Sequence, residues 1–306
     1  MANTAGNANE SLMARLATPP YLGLFIFAII LIYKPVAHCL LVLQHHFFTG
    51  PERYLVGFLV GLLGFTIIGK GLRRDELMAS AMGYMGGALV WMGWFEYAFD
   101  FFGETLGIAP LTDPVGGFTV LSPNLVLMEA TVVPFAAMLI LFGANRETRC
   151  RMLMWFQRNL RLAPEKPTTG YKRNFAWVTA WETIFVSWAF YLQIILLYDP
   201  RLVGINHPVT FAMFFVYLAW GGYLLNRLAK YNEPAGAIRY AIPTVAAFWI
   251  AIEMASHWGW FTEIWVKPIQ YPVANAMFIA AFVAGSAMVL VRRPGHALGS
   301  QIAAAE

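Results

Sequence analysis

The chain alternates long apolar stretches with short polar ones. Eight apolar runs are visible, at roughly 20–45, 54–71, 76–102, 124–144, 174–198, 207–229, 237–261 and 271–292. Each is near the roughly 20 residues that a helix needs to cross about 30 Å of hydrocarbon. No series of short alternating segments, as a membrane barrel would require, interrupts them. The pattern predicts an all-α, polytopic integral membrane protein with about eight transmembrane helices. Segment 1–19 is polar and reads as an N-terminal tail. The first run contains Lys34 and His38 and is followed by no small-residue cleavage site, so it reads as a span and not as a secretory signal.

Loop charge orients the helices. "KGLRRDE" after the second run and "ANRETRCRMLMWFQRNLRLAPEKPTTGYKRN" after the fourth are basic. So are "NRLAKYNEPAGAIR" and the tail "VRRPGH", whereas "GETLGIAPLTDPVGGFTVLSPN" has no Lys or Arg. Basic loops stay inside. Both termini are therefore expected in the cytoplasm of a bacterial cell, with the chain multi-pass in the inner membrane. Within "RMLMWFQRNLRL", Met152, Trp155, Phe156 and Leu160 recur at helical spacing between Arg151, Arg158 and Arg161, which predicts a helix lying on the membrane surface.

Composition agrees. The chain is 59% hydrophobic and 12% charged, about half the charge of a soluble domain. The net charge of +4 follows from the inside loops, and nothing in it points to nucleic acid. Cys39 falls within a span and Cys150 in an inside loop, so the two are not expected to pair.

The polar residues inside the spans carry the candidate chemistry, because ionisable groups in hydrocarbon are costly. Glu96, Asp100, Glu129, His207, Glu253 and His257 all fall near the outer ends of their spans, as do His45 and His46. Lys34 and His38 lie deeper. Glu96 with Asp100, and Glu253 with His257, stand four apart and share a helix face. Two ligands to one ion need that spacing; imidazole suits copper, zinc or iron. Interfacial packing explains the same residues one by one. The segments 83–102 and 244–265 also echo each other, each closing a span with a carboxylate and a second polar group four residues on. The echo reads as a 4+4 parallel repeat.

The stretch "EMASHWGWFTEIWVKPIQYP" (253–272) resembles the C subunit of the copper-containing membrane monooxygenases, the particulate methane and ammonia monooxygenase family. That subunit carries Asn-x-x-x-His at the outer end of one helix. An aromatic run, an acidic residue and a second His at the start of the next helix follow. Glu253 stands at the Asn position, His257 at the first His and Gln270 at the second, with Glu263, Pro268 and Tyr271 in register. "NHPVTFAMFFVYLAWGGYLLNRLAKY" resembles the helix that opens with a ligand His, which places His207 there. "YKRNFAWV", "NLVLMEATVVP" and "MGWFEYAFD" resemble the helices before it. The resemblance covers about 75–292. It makes 20–74 two additional N-terminal helices, expected to touch few of the outer polar residues, and 293–306 a cytoplasmic tail. The departures are Glu for Asn, Gln for His, and an outer loop "LLYDPRLVGINHP" that offers Asp199 but no histidine before His207.

The resemblance implies a divergent C-type subunit of a copper monooxygenase complex that hydroxylates methane, ammonia or a short alkane with O2. Copper, or else zinc or iron, would be bound by Glu253, His257 and Gln270, with His207 and Asp199 completing or neighbouring the site. Glu263 and Trp260 would sit behind these ligands, and A-type and B-type subunits would be the partners. A metal-free scaffold subunit and a proton-coupled small-molecule transporter are the alternatives.

Overall fold

The computed structural model describes residues 16, 18–114, 116–145, 154, 157–162 and 173–291. Met152, Trp155, Phe156, Arg151 and Cys150, and both tails beyond this range, lie outside the described residues. The described residues are mainly helical, with one short hairpin. Its helices are α1 (Tyr21–Phe47), α2 (Glu52–Gly71), α3 (Glu76–Val90), α4 (Tyr97–Thr105), α5 (Pro123–Glu129), α6 (Val132–Ala144), α7 (Phe175–Tyr198), α8 (Pro208–Leu228), α9 (Pro234–His257) and α10 (Pro272–Val291). Strands β1 (Leu111–Thr112) and β2 (Thr119–Leu121) pair antiparallel between α4 and α5.

Among the described residues six helices are long and apolar enough to cross a membrane, or seven if the bent pair Pro123–Glu129 and Val132–Gly143, which meets at 44°, is one span. This is a multi-pass membrane architecture. Two expected spans depart from a single straight α-helix. The run from Glu76 to Thr105 is unbroken but changes pitch through a π-helical turn at Trp91–Glu96. The 124–144 run bends at Ala130 and Thr131, where the Thr131 hydroxyl donates to the Met128 carbonyl at 2.6 Å. A hydroxyl bonded back to the preceding turn competes with the helix ladder and favours such a bend.

Local sequence sets most of the ends. Pro123, Pro208 and Pro234 open their helices, where the missing N–H is no loss. Asp75 and Asn174 cap α3 and α7 by accepting from the Met78 and Trp177 amides at 3.3 and 3.2 Å.

Helix α9 is the centre of the bundle: 67% of its most apolar window is buried, against 22–39% for the other five long helices. It packs against α1, α3, α7 and α8, and small residues (Ala237, Ala241, Ala247 and Ala251) let the neighbours approach. Helix α2 joins through glycines. A Cβ on Gly61 would stand 2.1 Å from the Trp94 ring, and one on Gly93 would meet the Gly61 backbone at 2.3 Å. Residues 20–71, expected to touch few of the polar residues near the span ends, do meet two of them. Helix α1 lies along α9 and α10, and it carries His38 to Glu253 and His45 to Asp100. Its own lipid face is only part of its surface; the polar side of a helix bearing Lys34, His38 and His45 is covered more readily by protein than by lipid.

Candidate functional site

A cavity of about 230 Å³ opens among α1, α4, α5, α7 and the C-terminal end of α9. The π turn, with the first residue of α4, brings Glu96 and Tyr97 to it, and α4 itself brings Asp100. Helix α9 supplies Glu253 and His257, and the loop after it supplies Glu263. The two i, i+4 pairs predicted from spacing thus face one volume. Helix α1 adds His38 and His45, and α7 adds Tyr191 and Tyr198. A smaller cavity of about 50 Å³ adjoins it and is lined by Lys34; His38, Leu41, Glu96 and Tyr191 belong to both walls.

Most of these groups are held by specific bonds. The Trp249 indole N–H donates to Glu253 Oε1 at 2.5 Å. The same oxygen lies 3.8 Å from His38 Nε2. His257 Nδ1 sits 2.9 Å from the Glu253 carbonyl, and 3.4 Å from the Tyr198 hydroxyl. An N–H at Nδ1 satisfies that carbonyl and leaves Nε2 as the free acceptor. Trp91 Nε1–H donates to Glu96 Oε1 at 3.0 Å. In a π turn residues five apart come into line, so the pitch change is what lets Trp91 hold Glu96.

The remaining predicted residues lie elsewhere. His207 is exposed and caps α8, its Nδ1 accepting from the Val209 amide at 3.2 Å. Gln270 is exposed in the turn before α10. Trp260 is 62% exposed and packs its ring against Phe214 and Trp258. Asp199 is fully buried and is gripped by Arg201, whose Nε and Nη2 donate to it at 2.9 and 2.6 Å. Arg201 Nη2 also donates to Glu129 at 2.6 Å. Burial pushes the Asp199 carboxyl up, but the Arg201 bonds outweigh it and hold the group below the ordinary carboxylate range.

The ligand set that the resemblance implies is therefore not gathered in one place. Asp199 is saturated by a guanidinium, His207 serves its own helix, and Gln270 faces outward. Among the described residues, no group of three or more His, Cys, Asp and Glu side chains converges as metal ligands would. The donors that remain on the cavity, Glu253 and His257, do not by themselves fit a copper site, which takes three or four.

Tyr97, Tyr191 and Tyr198 were not singled out by sequence reasoning. A tyrosine within an apolar run is ordinary packing until a carboxylate is known to face it, and that facing is a property of three helices together.

Compared with models of protein families, with curated proteins and with solved structures, the chain matches none.

Proposed function

We propose that this chain is a C-type subunit of a membrane monooxygenase complex, and that the outer cavity is where it meets the small substrate. The observation that carries this reading is the fate of one segment. The stretch 253–263, which resembles the family's ligand-bearing helix end, covers the last turn of α9 and the loop after it, and it delivers Glu253, His257 and Glu263 to a common volume. A recess walled by apolar side chains with a few convergent polar groups is what a small-molecule site requires. On this reading the chain spans the inner membrane eight times with both termini cytoplasmic, the unbroken Glu76–Thr105 run counting as the eighth crossing, and the cavity faces the periplasmic side. The 4+4 echo then places Glu96 with Asp100, and Glu253 with His257, as counterparts.

Copper would supply O2 activation in such a complex, but this chain's own residues do not complete its ligand set, so the missing donors would come from A-type and B-type partners. What this chain contributes is shape and charge. Trp249 and Trp91 fix two carboxylates, and His257 presents Nε2 to the volume.

Purification of the tagged chain from its native membrane tests the reading. Recovery of partner subunits, bound copper, and O2-dependent hydroxylation of a small substrate is expected. His257→Ala should lower metal and hydroxylation together, while His207→Ala leaves both unchanged. A chain that purifies alone, without metal or partners, overturns it. Reporter fusions after Asp113 and Pro164 test the topology and should report periplasm and cytoplasm respectively.

A second reading, a proton-coupled carrier, is favoured by one observation: His38 and Glu96 stand in the wall between the two cavities, next to Lys34. Ionisable residues in that position are typical of transport pathways. Proton uptake by reconstituted vesicles on addition of a solute, abolished in Glu96→Gln, would select it.

A further inference from the structure

Lys34 is the middle residue of α1. Roughly 20 Å of helix separates it from either end, so its side chain cannot reach an interface by snorkelling. Among the described residues its amine makes no hydrogen bond and no ion pair. Sealed side-chain atoms without a partner occur at Tyr97, Asp100 and Thr179, but not at Lys34. The amine is thus unbonded and still accessible, and the space beside it is the smaller cavity. Helix α7 brings Thr183, Ser187 and Tyr191 to the same wall. They stand four apart and share one face. Thr183 donates to the Thr179 carbonyl at 2.8 Å, which leaves its oxygen free to accept. A water needs about 10–15 Å³ and a few polar partners. A cavity of about 50 Å³ beside an amine and these hydroxyls meets both conditions.

The wall shared with the larger cavity holds His38 and Glu96, and either can take up a proton and return it. Trp91 engages only Oε1 of Glu96. His38 Nε2 stands 3.8 Å from Glu253 Oε1. Tyr33 on α1 and Tyr84 on α3 are the further titratable groups around Lys34. No arginine and no second lysine lines either cavity. On the side toward Arg239 the wall is apolar: Ile242, one turn beyond Arg239 on α9, then Val245. Arg239 itself is taken up by Ser80 and Glu76, at 2.6 and 2.7 Å.

We propose that the two cavities hold one continuous column of water and that Lys34 is the proton-exchange site at its blind end. The Lys34 ammonium gives a proton to a neighbouring water, and a water passes one on to the Glu96 carboxylate or to His38. The reverse route restores the ammonium. Only N–H and O–H bonds form and break, so no oxidant or reductant is required. Ionisable chains of this kind are how membrane proteins relay protons. The inference goes beyond both functional readings and holds under either: reducing O2 during hydroxylation consumes protons, and a proton-coupled carrier moves them.

Reductive methylation of the full-length chain in lipid nanodiscs, with isotopically labelled formaldehyde and cyanoborohydride, tests it. Peptide mass spectrometry should find Lys34 methylated along with the exposed Lys70. The Lys34 methyl resonance, assigned by its loss in Lys34→Met, should move with the pH of the buffer. Leu41→Trp narrows the shared wall, and should remove most labelling at Lys34 and none at Lys70. Pyridoxal phosphate, too large for the smaller cavity, should label Lys70 and spare Lys34. That arm needs no variant, so it keeps the test sound if Leu41→Trp folds poorly. Lys34 left unmethylated overturns the proposal, and so does a methyl resonance indifferent to pH. Undiminished methylation in a folded Leu41→Trp, or reaction of Lys34 with pyridoxal phosphate, overturns it too, because the amine would then be reached from outside the two cavities. None of these results bears on complex membership, which co-purification decides without involving Lys34.

Discussion

Two acidic clusters stand near the ends of the helices, and they have opposite characters. Around Arg201, both carboxylates are matched: one guanidinium spans Asp199 and Glu129, and every contact is between 2.6 and 3.0 Å. Around the cavity, four carboxylates face a volume with no guanidinium or ammonium on its wall, and among the described residues a carboxylate oxygen and a tyrosine hydroxyl have no hydrogen-bond partner. The same residue types give a clamp in one place and the wall of an open recess in the other. The difference is one arginine. A carboxylate in a membrane protein is thus informative about function only after its counter-charge is located.

Removing the arginine should erase the distinction. Arg201→Met leaves Asp199 buried against Glu129 with no cation, and loss of about 2–3 kcal/mol is expected, below the full figure for a buried pair because Arg201 is itself 56% exposed. Thermal unfolding followed by tryptophan fluorescence measures it. The pH dependence sharpens the point. In the parent, Asp199 has a depressed folded-state pKa. It therefore contributes stability above its unfolded value of about 3.9, and that contribution is lost only as pH falls through the lower folded value. Between pH 7 and 5 the Asp199 carboxyl of the parent should stay ionised. In Arg201→Met the uncompensated pair takes up protons more readily than the unfolded chain does, so this variant should melt higher at pH 5 than at pH 7. A variant that melts lower at pH 5 would show that some other cation covers the pair.

On the cavity side the effects are smaller. Trp249→Phe removes the donor to Glu253 and some buried area, and about 2 kcal/mol of destabilisation is expected. Glu253→Gln keeps an acceptor for that indole and should cost under about 1 kcal/mol. If Glu253→Gln proves the more damaging of the two, the carboxylate has a structural role that the Trp249 bond does not describe. His207→Ala removes a cap from α8 and should cost about 0.5–1 kcal/mol, with no effect on ligand binding in the cavity. Smallest of all is Tyr97→Phe in the absence of ligand. With no bond to lose, it should lie within about 0.5 kcal/mol of the parent; a larger cost would mean that the hydroxyl has a partner.

Much of the helical architecture is readable before any coordinates. The long apolar runs end within a few residues of α1, α2, α7, α8, α9 and α10, because hydrocarbon thickness imposes a length and proline or capping residues mark the ends. The i, i+4 spacing placed Glu96 with Asp100, and Glu253 with His257, on single faces, and those faces turn toward one cavity. What spacing cannot carry is which helices meet. His38 reaches Glu253 across 215 positions of chain, and the role of α1 as a cavity wall depends on that meeting. The assignment of His207 and Asp199 to a common centre failed for a related reason. Both side chains are consumed by partners two residues away, the Val209 amide and Arg201, and such short-range bonds compete with any ligand role. The π turn was equally hidden, since "WMGWFE" has nothing that distinguishes it from an ordinary helical segment.

That turn also bears on how the site can change in descent. A π turn holds one residue more than the α-helix it interrupts, so it behaves as a single-residue insertion absorbed in place. Deleting one residue between Trp91 and Glu96 would restore regular pitch and leave Glu76–Val90 and Tyr97–Thr105 where they pack. Trp91 and the carboxylate would then stand four apart instead of five, so the present indole bond to Glu96 would be lost while Tyr97 and Asp100 kept their places. A one-codon change in this segment would therefore alter how one carboxylate is held without dismantling the wall beyond it.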